Sequence, residues 1–223
     1  MLSPLGVIRD RLDAARSRES GFTLVELLIT MVLFGLAMTV VTKAISEVET
    51  YANDAQGSAD ANSEARLALA DIDRQVRSGN VLYSPANETT PATCTATGTD
   101  AGTCMRVYTQ ANGVQRCVQW QVVADPSEPS TAIIRSRSWS PAWQTNGSYT
   151  AWATKARGLL LAPSVPPFTL QGAVTSSSSR YLAVRFEVKD PRRPGAVVLT
   201  SALAGRNTNY GYDAGLCSPV PPS

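Results

Sequence analysis

The sequence predicts an α+β protein. One long N-terminal helix, membrane-spanning in its first half, packs its second half on an antiparallel β-sheet. Three observations carry this. Residues Phe22 to Val41 form an apolar run with a single charge, Glu26. A helical stripe continues past it to Arg77. After Gly79, alternation with period two replaces helical spacing.

The apolar run is long enough, at 1.5 Å per residue, to span about 30 Å, the depth of a bilayer core. Residues 1–21 are polar and carry Arg9, Arg11, Arg16 and Arg18 against Asp10, Asp13 and Glu19. Basic residues ahead of a span favour a cytoplasmic N-terminus and place the following chain outside. Glu26 is the anomaly. A carboxylate near the middle of a span costs about 2.5–3.5 kcal/mol, so an ionisable group there points to function. A plain anchor leaves it unexplained. A secretory signal peptide would require a mature N-terminus near Ala44, but Lys43 sits beside that site and the helical pattern runs through it.

Beyond the span, Val48, Ala55, Asn62, Leu69 and Val76 recur seven apart, with Tyr51, Ser58, Ala65 and Ile72 between them. This is one helical face, stronger toward residues 65–76. Ser78-Gly79-Asn80 is a stop, with glycine suited to a left-handed cap. The predicted helix runs from Phe22 to Arg77, about 85 Å. Gly35 and Gly57 each weaken it by about 1 kcal/mol relative to alanine.

Residues 85–103 are rich in Pro, Thr, Ala and Gly and read as loop. Met105–Thr109 and Val114–Val123 alternate around Asn112-Gly113, a hairpin signal. With those two residues at the turn, Val107 opposes Val118 and Met105 opposes Trp120. These four and Val122 then share the core face. Cys104 and Cys117 fall on the other face, out of register and too far apart to bond. The expected pairs are therefore Cys94–Cys104 and Cys117–Cys217, other connectivities remaining open from sequence. Ile133–Trp139 reads as a strand, Pro141–Tyr149 as a loop and Gly158–Leu161 as a short strand. Tyr181–Lys189 alternates, with Leu182, Val184, Phe186 and Val188 inward and Arg185, Glu187 and Lys189 outward. Asp190–Gly195 turns, and Ala196–Leu203 returns in the same sheet. The stretch from Gly205, with Pro-Val-Pro-Pro-Ser at 219–223, is expected to be irregular unless Cys217 ties it down.

Composition narrows the chemistry. The chain has no histidine, four cysteines without a C-x-x-C pair, and a net charge of +2. The commonest metal ligand and the commonest acid–base group are thus missing. An even cysteine count beyond an apolar segment reads as two disulfides outside the cytoplasm. Ser176–Ser179 has no activating base, and Asp71 and Asp73 point to different helix faces. We expect no enzyme, metal or cofactor. One recognition candidate stands out at residues 135–152, where Arg135, Arg137, Trp139 and Trp143 adjoin Tyr149 and Trp152. Arginine beside aromatics can stack on bases or sugars. The alternative, favoured by the burial preference of tryptophan and the lack of net basic charge, has the tryptophans capping the sheet and the arginines solvated.

Gly21-Phe22-Thr23-Leu24-Val25-Glu26, with the apolar run behind it, resembles the type IV prepilin signature. The resemblance implies a pilin-like fold and removal of a 1–21 leader after Gly21 by a prepilin peptidase, followed by N-methylation of Phe22. It implies residues 22–43 as the membrane and filament-core half of the helix, 44–78 as its amphipathic half, and 79–223 as a β domain. Glycine ahead of the scissile bond lets the backbone lie extended in a protease cleft. The new Phe22 ammonium would pair with Glu26 of a neighbouring subunit during assembly. SEARLALADIDRQVRSGNVL (63–82), with Leu199-Thr200-Ser201 and Arg206-Asn207, is similar to PilW-like minor pilins and J-type minor pseudopilins. The function implied is a minor pilin or pseudopilin in a type IV pilus or in a secretion or DNA-uptake pseudopilus. Its partners would be the peptidase, other pilins, the membrane assembly platform and the cytoplasmic membrane. The competing function is a filament-associated adhesin or nucleic-acid-binding pilin using residues 135–152.

Overall fold

The computed structural model describes residues 22–162, 165–171, 181–190, 195–205, 212–213 and 215–222. The leader, Ser176–Ser179, most of the Asp190–Gly195 turn and Arg206-Asn207 lie outside them. The chain divides into two compact units, residues 1–53 and 54–223. In the first, the described residues belong almost entirely to helix α1 (Leu24–Arg77), and its apolar side chains are exposed. Its most apolar window has a mean hydropathy of 2.4, enough by length and composition to cross a membrane. The polar residues within and just after this run are absorbed locally. The hydroxyls of Thr30, Thr39, Thr42, Ser46 and Thr50 each donate to a backbone carbonyl three or four residues back. This satisfies them without another element.

Among the described residues, the second unit holds the rest of α1 and ten strands. The strands are β1 (Gly79–Tyr83), β2 (Ala96–Gly98), β3 (Ala101–Gly102), β4 (Cys104–Thr109), β5 (Arg116–Ala124), β6 (Thr131–Trp139), β7 (Ala153–Leu160), β8 (Phe168–Leu170), β9 (Tyr181–Lys189) and β10 (Ala196–Ala204). They form one antiparallel sheet in the order β1-β4-β5-β6-β7-β9-β8-β3-β2, with β10 paired to β9 along its whole length. The fold is α+β and pilin-like.

Ala65, Ala68, Ile72 and Val76, buried on α1, face Met105, Val107, Val118, Trp120 and Val122 from β4 and β5, and the inward residues of β9. Each large side chain so buried contributes about 1.5–3 kcal/mol. The Trp120 indole donates to Gln75 Oε1 at 2.7 Å, so the one polar atom of that ring is satisfied by the helix it packs on. Small residues let the helix approach β7. Gly158 has φ +72°, and a Cβ there would come within 3.3 Å of the Ala61 methyl. Beside it the Arg157 amide donates to Glu64 of the helix.

The hairpin register is as the alternation predicts: Val107 pairs with Val118 and Met105 with Trp120. The turn is wider than two residues. Strands stop at Thr109 and restart at Arg116, and a 3₁₀ turn at Ala111–Gly113 closes the gap. Four other expectations need correction. Gly79 is not left-handed; a Cβ there would lie 2.7 Å from Val107 Cγ2, so glycine serves close approach of β1 to β4. The 85–103 loop contains β2, β3 and a 3₁₀ turn (Pro85–Asn87), strands too short to show alternation. The 141–149 loop holds a single-turn helix α2 (Trp143–Asn146). Glu187 is buried, its carboxylate 2.9 Å from Arg185 Nε, so pairing replaces solvent.

The β5–β6 turn is organised by Asp125. Its Oδ1 accepts from the Ser127 amide and hydroxyl, and its Oδ2 from Arg157 at 2.7 Å. The Ser127 bonds, with Arg157, lower its pKa from 3.8 to about 2. A depressed carboxylate stabilises the fold above its unfolded pKa and loses that contribution as pH falls through the folded value. The stability difference between the native chain and Asp125→Asn should be full above pH 4 and vanish by about pH 2. Urea midpoints measured across this range test it. A pH-independent difference would mean that the turn does not depend on the charge.

Candidate functional site

The site begins at the N-terminus of α1. Thr23 is the cap: its carbonyl accepts the first helical bond, from Leu27, and its Oγ1 accepts the Glu26 amide at 3.2 Å. Thr-x-x-Glu is the capping-box spacing, and the positive end of the helix favours an acidic group in this turn. Glu26 is exposed, and among the described residues it has no ion-pair partner. Phe22 precedes the cap and is 76 % exposed. The arrangement therefore offers a fixed backbone, an open carboxylate at the third helical position and an aromatic residue just ahead. Gly21, the predicted cleavage residue, lies outside the described residues. The sequence reading missed Thr23 as the cap; the signal was the three-residue spacing to Glu26.

Residues 16–42 match the family model described as the prokaryotic N-terminal methylation motif. This motif, with the long apolar helix behind it, supports a member of the type IV pilin and pseudopilin family. The motif implies processing by a prepilin peptidase and assembly with other pilins, and it points to a structural subunit. No curated protein and no solved structure matches the chain.

In the globular unit, the sheet face opposite α1 is a second, polar layer. Paired residues on β4, β5 and β6 form three rows across it: Cys104–Gln121–Arg135, Arg106–Gln119–Arg137 and Tyr108–Cys117–Trp139. Two segments cover the rows. Cys94 is bonded to Cys104, with Cα atoms 5.4 Å apart, and Cys117 to Cys217 across 100 residues. The first bond holds the loop bearing Glu88 and Thr93, the second a strap that reaches Pro222. Arg106 Nε lies 3.0 Å from Glu88 Oε1, with both side chains almost fully buried. Burial raises the Glu88 pKa, and Arg106 opposes the rise. Gln119 accepts from Arg137 and donates to Glu88, tying the row together.

The four recognition candidates fall within this layer or on its border. Trp139 and Arg137 are buried, at 2 % and 3 % exposure, and Arg135 is half-buried. Arg135 and Arg137 lie 4.6 and 4.5 Å from the centre of the Trp152 ring. Burial, with Arg135 alongside, lowers the Arg137 pKa to about 10. Trp143 packs edge-on against Tyr149 and donates to Pro219 O. The stretch is thus folded around its own aromatics, and Arg137 is not solvated. Sequence reading missed the partners Glu88, Gln119 and Arg106. The trace they leave is polar alternation on the outer face of the same strands whose inner face reads as core.

Proposed function

We propose that this pilin is a minor subunit, PilW-like or of the J-type pseudopilins, in a type IV pilus or a secretion or DNA-uptake pseudopilus, acting in priming or at the tip. The reading rests on the exposed Glu26 carboxylate, set in a capped first turn four residues behind Phe22. Cleavage after Gly21 would make the Phe22 amine a cation, and in the filament Glu26 of the adjoining subunit would meet it. An unpaired charge in an apolar packing core is strongly disfavoured, so the pair would select register as subunits enter. The leader would occupy residues 1–21, the membrane and filament core 22–43, the amphipathic half of the helix 44–78, and the β domain 79–223. The N-terminus would face the cytoplasm, the β domain the outside, and the membrane assembly platform would extract the subunit. The large aperiodic β unit and the 63–82 stretch support the minor class.

Mass spectrometry of the mature chain should find methylated Phe22 as its first residue. A start near Ala44 would overturn the reading. Glu26→Ala should leave membrane insertion and cleavage near normal. It should lower incorporation into filaments more than a hundredfold, since stranding one partner of a buried pair costs about 3–5 kcal/mol. Unchanged incorporation would remove the pairing argument while leaving the processing site standing.

A further inference from the structure

The end of the sheet where β5 starts and β6 stops carries an open pocket of about 350 Å³. Its walls include Arg116 from β5, Ser138 from β6, and Ser148 and Tyr149 from the segment after α2. That segment is pinned to the sheet. The Ser140 amide donates to Ser148 O at 2.9 Å, the Thr150 amide to Ser138 O at 2.8 Å, and the Ser138 amide to Thr150 Oγ1 at 2.9 Å. Gly147, at φ +65°, makes the left-handed exit from α2 that allows this return. Trp143 packs edge-on against Tyr149, with ring centres 5.7 Å apart. The Tyr149 ring is thus held in place and still 49 % exposed.

The fold does not use the polar groups on these walls. Among the described residues, the Arg116 guanidinium has neither an ion-pair nor a hydrogen-bond partner, and the hydroxyls of Ser138, Ser148 and Tyr149 have none. Trp139, 2 % exposed, also lines the pocket, and its indole N–H is buried without an acceptor among the described residues. Arg116 is the one charged residue among the described lining. The nearby arginines are committed elsewhere: Arg135 donates to Gln121 and Arg137 to Gln119, and both lie over Trp152. The predicted recognition stretch thus presents a different set of groups from the one its sequence suggests.

We propose that this pocket binds one acidic sugar residue, a uronate-type ring of an anionic polysaccharide, with Arg116 on its carboxylate and Tyr149 against its ring. Each group matches one part of such a ligand. A guanidinium forks onto a carboxylate through two parallel hydrogen bonds. Hydroxyls both donate and accept, as sugar hydroxyls require. A phenol ring offers an apolar body for the C–H face of a pyranose and a polar tip at its edge. The volume lies at the lower end of ligand sites, which suits a single ring better than a long segment. A nucleic-acid strand fits less well. It would need a row of cations along its backbone and successive aromatic platforms, and this pocket supplies one exposed cation and one exposed ring. The pocket would hold its sugar whether or not the chain enters a filament.

The test titrates the full chain in detergent with labelled oligomers of galacturonate, mannuronate and hyaluronan, with their methyl esters, and with oligothymidylate. At least one acidic oligomer should bind saturably, and its methyl ester, which keeps the ring and loses the charge, about tenfold more weakly. Arg116→Gln should weaken the acid about tenfold and leave the ester unchanged, so that ester binding reports an intact pocket. Tyr149→Ala should weaken acid and ester alike. Arg74→Gln removes another exposed arginine, outside this pocket, and should change neither. No saturable binding of any acidic oligomer would overturn the proposal. So would an equal loss in Arg74→Gln, which would show a general charge effect, or oligothymidylate competing at equal affinity, which would show a base-stacking surface. None of these results bears on Phe22 methylation, so the two readings fail separately.

Discussion

Replacing Cys117 and Cys217 together with alanine should lower the unfolding free energy by about 4–5 kcal/mol. Replacing Cys94 and Cys104 should cost about 2–3 kcal/mol. The argument is loop closure. The first bond closes 100 residues and the second 10. In the chain-entropy treatment the restriction of the unfolded ensemble grows with the logarithm of loop length, about 4.7 kcal/mol for 100 residues and about 2.7 for 10. The longer bond also anchors the strap whose carbonyls receive Arg106, Trp143 and Arg137. Its loss therefore releases acceptors as well as chain. Denaturant unfolding of the full chain in detergent, followed by tryptophan fluorescence, measures both variants. The opposite ranking would mean that native contacts, and not closure, set the contribution of each bond.

Arg106→Met should cost about 3–5 kcal/mol, far more than the loss of a surface arginine. Glu88 is 1 % exposed at its side chain, and Arg106 is its ion-pair partner. Among the described residues, Gln119 alone remains to donate to the stranded carboxylate. The pKa of Glu88, already raised by burial, should rise further. A carboxyl with a raised folded pKa contributes stability when protonated and loses it as pH rises through that pKa. The deficit of the variant should therefore widen from acidic to neutral pH. Adding Glu88→Gln should recover most of it, because a neutral amide needs no cation. A small, pH-independent deficit would show that solvent reaches the pair.

How much of this was legible depends on what each residue must satisfy. The α1 stripe, the β4–β5 register and the inward face of β9 were readable because burial on one face repeats with the period of the element. The register placed Cys104 and Cys117 out of reach of each other, which left two connectivities open, and the expected one, Cys94–Cys104 with Cys117–Cys217, is the one formed. The two-residue turn at Asn112-Gly113 was a plausible local solution, but the connection from Thr109 to Arg116 is longer while keeping the same pairing. Short strands such as Phe168–Leu170 carry too few residues for a period. The polar layer was the larger omission. Arg106, Gln119 and Arg137 look like solvent-facing positions in alternation, and only the covering segments, which bring in Glu88 from earlier in the chain and Pro222 from 85 residues beyond Arg137, turn them inward. Thr23 was hidden differently, inside a motif that already had an explanation.

The Cys117–Cys217 bond also has a mechanical meaning. It encloses β5 to β10 in a covalent ring. A tensile load applied to the chain outside that ring cannot draw out the residues within it, and roughly 340 Å of contour length stays locked whatever the force on the noncovalent sheet. A nick inside the ring, for example between Leu160 and Phe168, would leave both fragments joined. On the N-terminal side of that ring a subunit built this way yields through α1, β1 and β4, because the Cys94–Cys104 bond closes β2 and β3 into a second, smaller ring, so its extensible fraction is set by where the two sulfur bridges fall.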